Sequence, residues 1–162
     1  MLCELDANIV ACQWDSSAGV LQPIQSVYTL ADGQACSRAH HSGCAHILVN
    51  AAGSTLYSSG RTTNEICVCA IDPATGRLTK LQSVSTAGIS PRNFHLDEDV
   101  DGRGGGWLRV ANQDTQNVVS YAIVPGGGGR LDKGSQTVLD LGGLNPAVVT
   151  VPRALAVAGS SL

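Results

Sequence analysis

Five side chains in this sequence are of the types that move protons or hold anions, and all five stand where strands begin or end: Glu4, His46, Arg61, Arg92 and His95. A carboxylate or an imidazole can act as a base. A guanidinium offers a rigid fork of donors to a carboxylate or phosphate. Each also has a plain structural role open to it. Glu4 could be an exposed carboxylate near a terminus, and Arg61 a solvated strand end. Arg92 could bond a carbonyl where two repeats meet, and His46 could be packed between repeats. The other candidates carry less. His40 and His41 adjoin in a polar loop, but a His pair by itself is a poor metal signal. Gly126–Gly129 is a run of glycines with no Lys-Ser/Thr after it, so it reads as a turn and not a phosphate loop.

The elements that must position these residues repeat. Asn8–Val27 reads NIVACQWDSSAGVLQPIQSV, and Asn64–Val84 reads NEICVCAIDPATGRLTKLQSV. A third version, NVVSYAIVPGGGGRLDKG, starts at Asn117. Each is an alternating strand, a turn closing on Gly, and a Leu that opens a second strand. Setting Asp15 on Asp72 gives a step of 57 residues, and Asp72 on Val124 a step of 52. A second unit lies between them. His46–Arg61 and His95–Gln113 both run strand, turn, strand, which puts His46 and His95 at one repeat position. The second copy is swollen by Asp99–Gly106. Together the units make four antiparallel strands in about 40 residues, the blade of an all-β propeller. Ala87–Pro91 links two cycles, and Asn145–Val151 matches Ser90–Leu96 and so begins another.

About three blades are expected over residues 1–151, followed by an irregular tail at 152–162. A propeller needs about 4–8 blades to close. Three would leave two open edges and two apolar faces without a neighbour. The expectation is therefore a part of a larger propeller, with the missing blades supplied by the rest of the protein or by a partner chain.

Composition narrows the function classes. Charged residues make up 14%, net charge is −3, and Lys and Arg do not cluster, which argues against a nucleic-acid partner. No apolar run is long enough to span a membrane. Glu4 and Asp6 stand where a signal peptide would be basic, so a cytoplasmic protein is expected. The six cysteines show no C-x-x-C spacing and read as reduced thiols. Cys67 and Cys69 alternate onto one face of a strand, a spacing ill suited to a disulfide.

Several motifs taken in order resemble the seven-bladed β-propeller lactonase family, which includes bacterial-type 6-phosphogluconolactonase and fungal carboxy-cis,cis-muconate cyclase. They are CEL at Cys3, A-H-I at Ala45, L-Y-x-S-x-R at Leu56–Arg61, AIDPATGRLTKLQSVST, PRNF at Pro91–Phe94 and L-x-V-A-N-Q at Leu108–Gln113. The sequence departs from the family pattern at Asn50–Gly53, at Gly60 and in the swollen Asp99–Gly106 turn. The resemblance implies metal-independent, cofactor-free hydrolysis of a small anionic lactone. On that reading Glu4 or His46 is the base, Arg61 steadies the oxyanion or the product carboxylate, and Arg92 and His95 bind substrate. It leaves two alternatives: the lactonising cycloisomerase reaction of the cyclase, and a non-catalytic propeller that binds a protein across its face. An isolated chain of this length is expected to have little activity.

Overall fold

The computed structural model describes residues 1–29, 43–98 and 106–150. Its described strands form three antiparallel sheets. The first holds β1 (Leu2–Cys3), β2 (Asn8–Asp15) and β3 (Val20–Tyr28). The second holds β4 (Cys44–Val49), β5 (Thr55–Gly60), β6 (Glu65–Ile71) and β7 (Leu78–Ser85). The third holds β8 (Pro91–Glu98), β9 (Gly106–Asn112), β10 (Asn117–Ala122) and β11 (Thr137–Asp140). Within each sheet the strands lie in chain order, the meander of a propeller blade. The swollen Asp99–Gly106 turn lies outside the described residues except for Gly106, as do His40, His41, Cys36 and the tail from 151.

The turn that closes the first two repeats is built by an aspartate. Asp15 Oδ1 accepts from the N–H groups of Ser17 (2.9 Å) and Ala18 (3.1 Å), and Asp72 Oδ1 from those of Ala74 (2.8 Å) and Thr75 (3.0 Å). The Ser17 hydroxyl first, then the two backbone bonds, hold Asp15 below the usual carboxylate range, and the backbone bonds of Ala74 and Thr75 do the same for Asp72. Gly19 and Gly76 then close the loop at φ near +68° and +69°. The third repeat has Val124 in place of the aspartate. There the sequence expectation needs correction. Leu131 forms only an isolated bridge to Ile123, a short 3-10 turn follows at Lys133–Ser135, and the fourth strand begins at Thr137.

The repeated Gln and Leu explain why the repeat exists. Gln25 of the first blade accepts from the Leu78 N–H (2.7 Å) and donates to the Leu78 carbonyl (2.9 Å). Gln82 of the second blade does the same to Leu131, at 2.9 Å each way. Each blade thus clamps the backbone of the next. Apolar faces close the same seams. Ile9, Ala11 and Val27 meet Leu56, Cys67, Cys69 and Leu78, while Tyr57, Ile66, Val68 and Val84 meet Phe94, Leu108, Val110 and Val119. Cys67 and Cys69 do share a face, with sulfurs 3.8 Å apart, both free and buried. The hydrogen bond between them, with burial, pushes the Cys67 thiol up.

Candidate functional site

The strands β4 and β8 run side by side on the inner edge of their blades. Each carries a bulge near its start. In β4, Cys44 pairs with Gly60 and His46 with Ser59, leaving Ala45 unpaired. In β8, Pro91 pairs with Asn112 and Asn93 with Ala111, leaving Arg92 unpaired. A bulge re-aims the side chain it carries. Arg92 is therefore exposed at the mouth end of the inner edge.

These pairings set the repeat frame, and it differs from the one read in the sequence. His46 corresponds to Asn93, and His95 corresponds to Leu48. Counted from the equivalent starts Cys44 and Pro91, His46 lies two residues along its strand and His95 four. His46 meets the edge of the Phe94 ring on the next blade, with centroids 4.9 Å apart and planes at 78°. Burial lowers its pKa from the ordinary 6.5, which favours the neutral imidazole. His95 pairs with Arg109 on the face of the third blade opposite Phe94, where Arg109 is bonded to Asp97 at 2.9 Å. The fold thus places His95 on a blade face, away from the bulge that carries Arg92.

A second recurring position lies in the turn after each blade's second strand. The pairs Cys3–Asn8, Gly60–Glu65 and Asn112–Asn117 bracket the same turn three times. Its fourth residue is left-handed and non-glycine in every copy: Ala7 (φ 51°), Asn64 (φ 55°) and Gln116 (φ 57°). Such a conformation persists only where its surroundings enforce it. Here the amides of Thr29, Thr86 and Leu141 bond the carbonyls of those three residues. β1 is thereby the counterpart of β5 and β9, the second strand of its blade. The first residue of the turn is Glu4, then Arg61, then Gln113.

This turn assembles the rim. Arg61 forms an ion pair with Glu4 of the preceding blade. Its N–H donates to the Gly43 carbonyl (2.7 Å), and the guanidinium packs on Gly43, where a Cβ would fall 2.7 Å from Nε. Gln113 repeats the backbone bond, its N–H donating to the Ser90 carbonyl at 3.0 Å. Arg92 Nη1 then donates to Gln113 Oε1 at 3.1 Å. Of the residues proposed from sequence, Glu4 and Arg61 are joined directly and Arg92 extends the same rim. Among the described residues no hydrogen bond links the His46 ring to the Glu4–Arg61 pair. Gln113 was missed, although the steps of 57 and 52 carry Glu4 onto Arg61 and Arg61 onto Gln113. The arrangement supplies a carboxylate, two guanidiniums and a carboxamide from three neighbouring turns and one strand bulge, a set suited to holding an anionic, oxygen-rich small molecule.

Comparison with known proteins agrees with the propeller fold. A family model described as "Lactonase, 7-bladed beta-propeller" matches residues 1–141. The 6-phosphogluconolactonase of Bacillus subtilis (strain 168) is 27% identical over 121 residues, covering 75% of this chain and 32% of its own length. A crystal structure of a protein from Lactobacillus plantarum superposes with a TM-score of 0.75 at 28% identity, over 91% of this chain and 39% of that one. The periplasmic gluconolactonase of Pseudomonas aeruginosa shares the fold at a TM-score of 0.67 and 23% identity, over 85% of this chain and 38% of that one. The chain therefore spans about a third of the length of the curated relative it matches.

Proposed function

The chain belongs to the seven-bladed β-propeller lactonase family, and on that footing we propose that it contributes a substrate rim to a sugar-lactone hydrolase, with 6-phosphogluconolactone opened to 6-phosphogluconate as the favoured reaction. The observation that carries this is the blade-to-blade pair Glu4–Arg61 with Arg92 at the adjacent bulge. In this reaction a water oxygen attacks the lactone carbonyl, a base removes the water proton, and the ring C–O bond breaks as its oxygen takes a proton. His46, held neutral by burial, or Glu4 serves as the base. Arg61 steadies the negative oxygen in the tetrahedral intermediate. Arg92 takes the phosphate or carboxylate.

Support for further blades comes from the outward face of the first one. Trp14 and Leu21 are cross-strand partners there, and both are more than half or about half exposed, at 58% and 50%. The equivalent face of the second blade is buried against the first. Remaining blades, from the same polypeptide or a partner chain, would cover it and complete the channel. A phosphorylated substrate favours a cytoplasmic setting. The described residues include no helix long and apolar enough to cross a membrane.

The test is hydrolysis of 6-phosphogluconolactone by the full-length protein, followed by coupled oxidation of the product. Turnover that drops with Arg61→Ala supports the reading. A well-folded full-length protein that leaves the lactone at its spontaneous rate removes it.

A further inference from the structure

The rim's two arginines differ in what holds them. Arg61 faces a carboxylate, Glu4, so its charge is balanced within the protein. Arg92 faces the neutral carboxamide of Gln113, and among the described residues it has no carboxylate partner. A guanidinium only donates, so the carboxamide must turn its oxygen to Arg92. That orientation leaves the Gln113 amide N–H₂ as a second donor beside the guanidinium. Gln113 is itself fixed in place, because its backbone N–H is tied to the Ser90 carbonyl and the adjacent Asp114 N–H to that of Ile89. Asn112, next in line, is buried and donates to the Thr86 carbonyl at 2.9 Å. The carboxamide therefore projects from a well-anchored turn, and Arg92 projects from a bulge. Two independent recurring positions of the blade converge on one donor cluster.

The geometry points to Gln113 as the positioning residue of an anion subsite: its Oε1 orients Arg92, its neutrality preserves the Arg92 charge, and its N–H₂ adds a donor for a phosphate or carboxylate oxygen. This rests on the lactonase reading for the identity of the substrate, but not for the existence of the subsite. A glutamate in this position would offset the Arg92 charge and weaken its attraction for an anion. Glutamine leaves that charge whole.

The experiment uses full-length protein and two probes, inorganic phosphate and 6-phosphogluconate, with affinity read by calorimetry. The variants are Gln113→Leu, Gln113→Glu, Arg92→Leu and the double Gln113→Leu/Arg92→Leu. Gln113→Leu is expected to weaken both probes about tenfold, and Arg92→Leu by more. The double variant should be no weaker than Arg92→Leu, because Gln113 acts chiefly through that arginine. Gln113→Glu should weaken binding at least as much as Gln113→Leu, although it keeps an acceptor for Arg92. In turnover, Gln113→Leu should raise KM and leave kcat near its starting value. Wild-type-like affinity in Gln113→Glu, or additive losses in the double variant, would overturn the assignment, as would failure of the wild type to bind either probe. Gln113-dependent phosphate binding without lactone turnover would instead retain the subsite and remove the lactonase reading.

Discussion

Gln82 bonds both backbone groups of Leu131, a residue 49 positions later on the next blade, accepting its N–H and donating to its carbonyl at 2.9 Å each. Leu131 is buried at 2% exposure. No ladder partner would replace the clamp there, since Leu131 is joined to its own sheet only by a single bridge to Ile123. Gln82→Leu should strand a buried donor and acceptor, at about 2–4 kcal/mol. Chemical denaturation would show it as a lower midpoint with the slope unchanged. Gln25→Leu should act the same way at Leu78, whose N–H and carbonyl are both held by Gln25.

Arg61→Ala in the full-length enzyme should reduce lactone turnover by about 10²-fold or more. Gly43→Ala offers a check that leaves every charged group in place. Its methyl would fall 2.9 Å from Arg61 Cζ and displace the guanidinium from Glu4. Turnover should fall with Gly43→Ala while overall stability changes little. Unaltered turnover in both variants would remove Arg61 from the reaction.

His46 should make stability depend on pH in one direction. Its folded pKa lies below 6.5 because burial penalises the cation, so the unfolded chain binds the proton more readily. Its contribution is complete above pH 6.5 and is lost as pH falls through the lower folded value. His46→Phe should flatten that part of the stability profile while preserving the ring contact with Phe94. Equal slopes in the two proteins below pH 6.5 would exclude the assignment.

Tyr57 donates its hydroxyl to the Gly129 carbonyl at 2.8 Å, tying the four-glycine turn to the second blade. Burial, assisted by Glu98, pushes its pKa up to about 12. Ultraviolet titration should find this phenol un-ionised until near that value. Tyr57→Phe should cost about 1 kcal/mol and bring no change in the ligand rim.

The blade pattern was legible because strand alternation and turn chemistry are local. Asp15 and Asp72 announce their turns through bonds to residues two and three places on. The third repeat was misjudged where Val124 replaces that aspartate and the fourth strand moves on to Thr137. The rim was legible in part. Glu4, Arg61 and Arg92 stand out as charges, whereas Gln113 looks like filler until the turn frame equates it with Glu4 and Arg61. The match of His46 to His95 failed because it aligned two residues of one type, while the strand pairings start at Cys44 and Pro91 and put His95 two places further along its strand than His46.

The histidine mismatch has a counterpart across the whole blade. The apolar row Leu48–Tyr57–Val68 in the second sheet corresponds to His95–Arg109–Ser120 in the third. Repeats with interchangeable faces invite misassembly, in which one blade docks where another belongs. Here the third blade carries its own label. Laid against the apolar Phe94–Val110 face of a third blade from another copy of the chain, it would bury Arg109 and Asp97 with no polar surface to receive them, at a cost of several kcal/mol. The departure from repeat symmetry makes the two faces of the third blade unlike, so that the apolar docking joining it to the second blade is open to one of them alone.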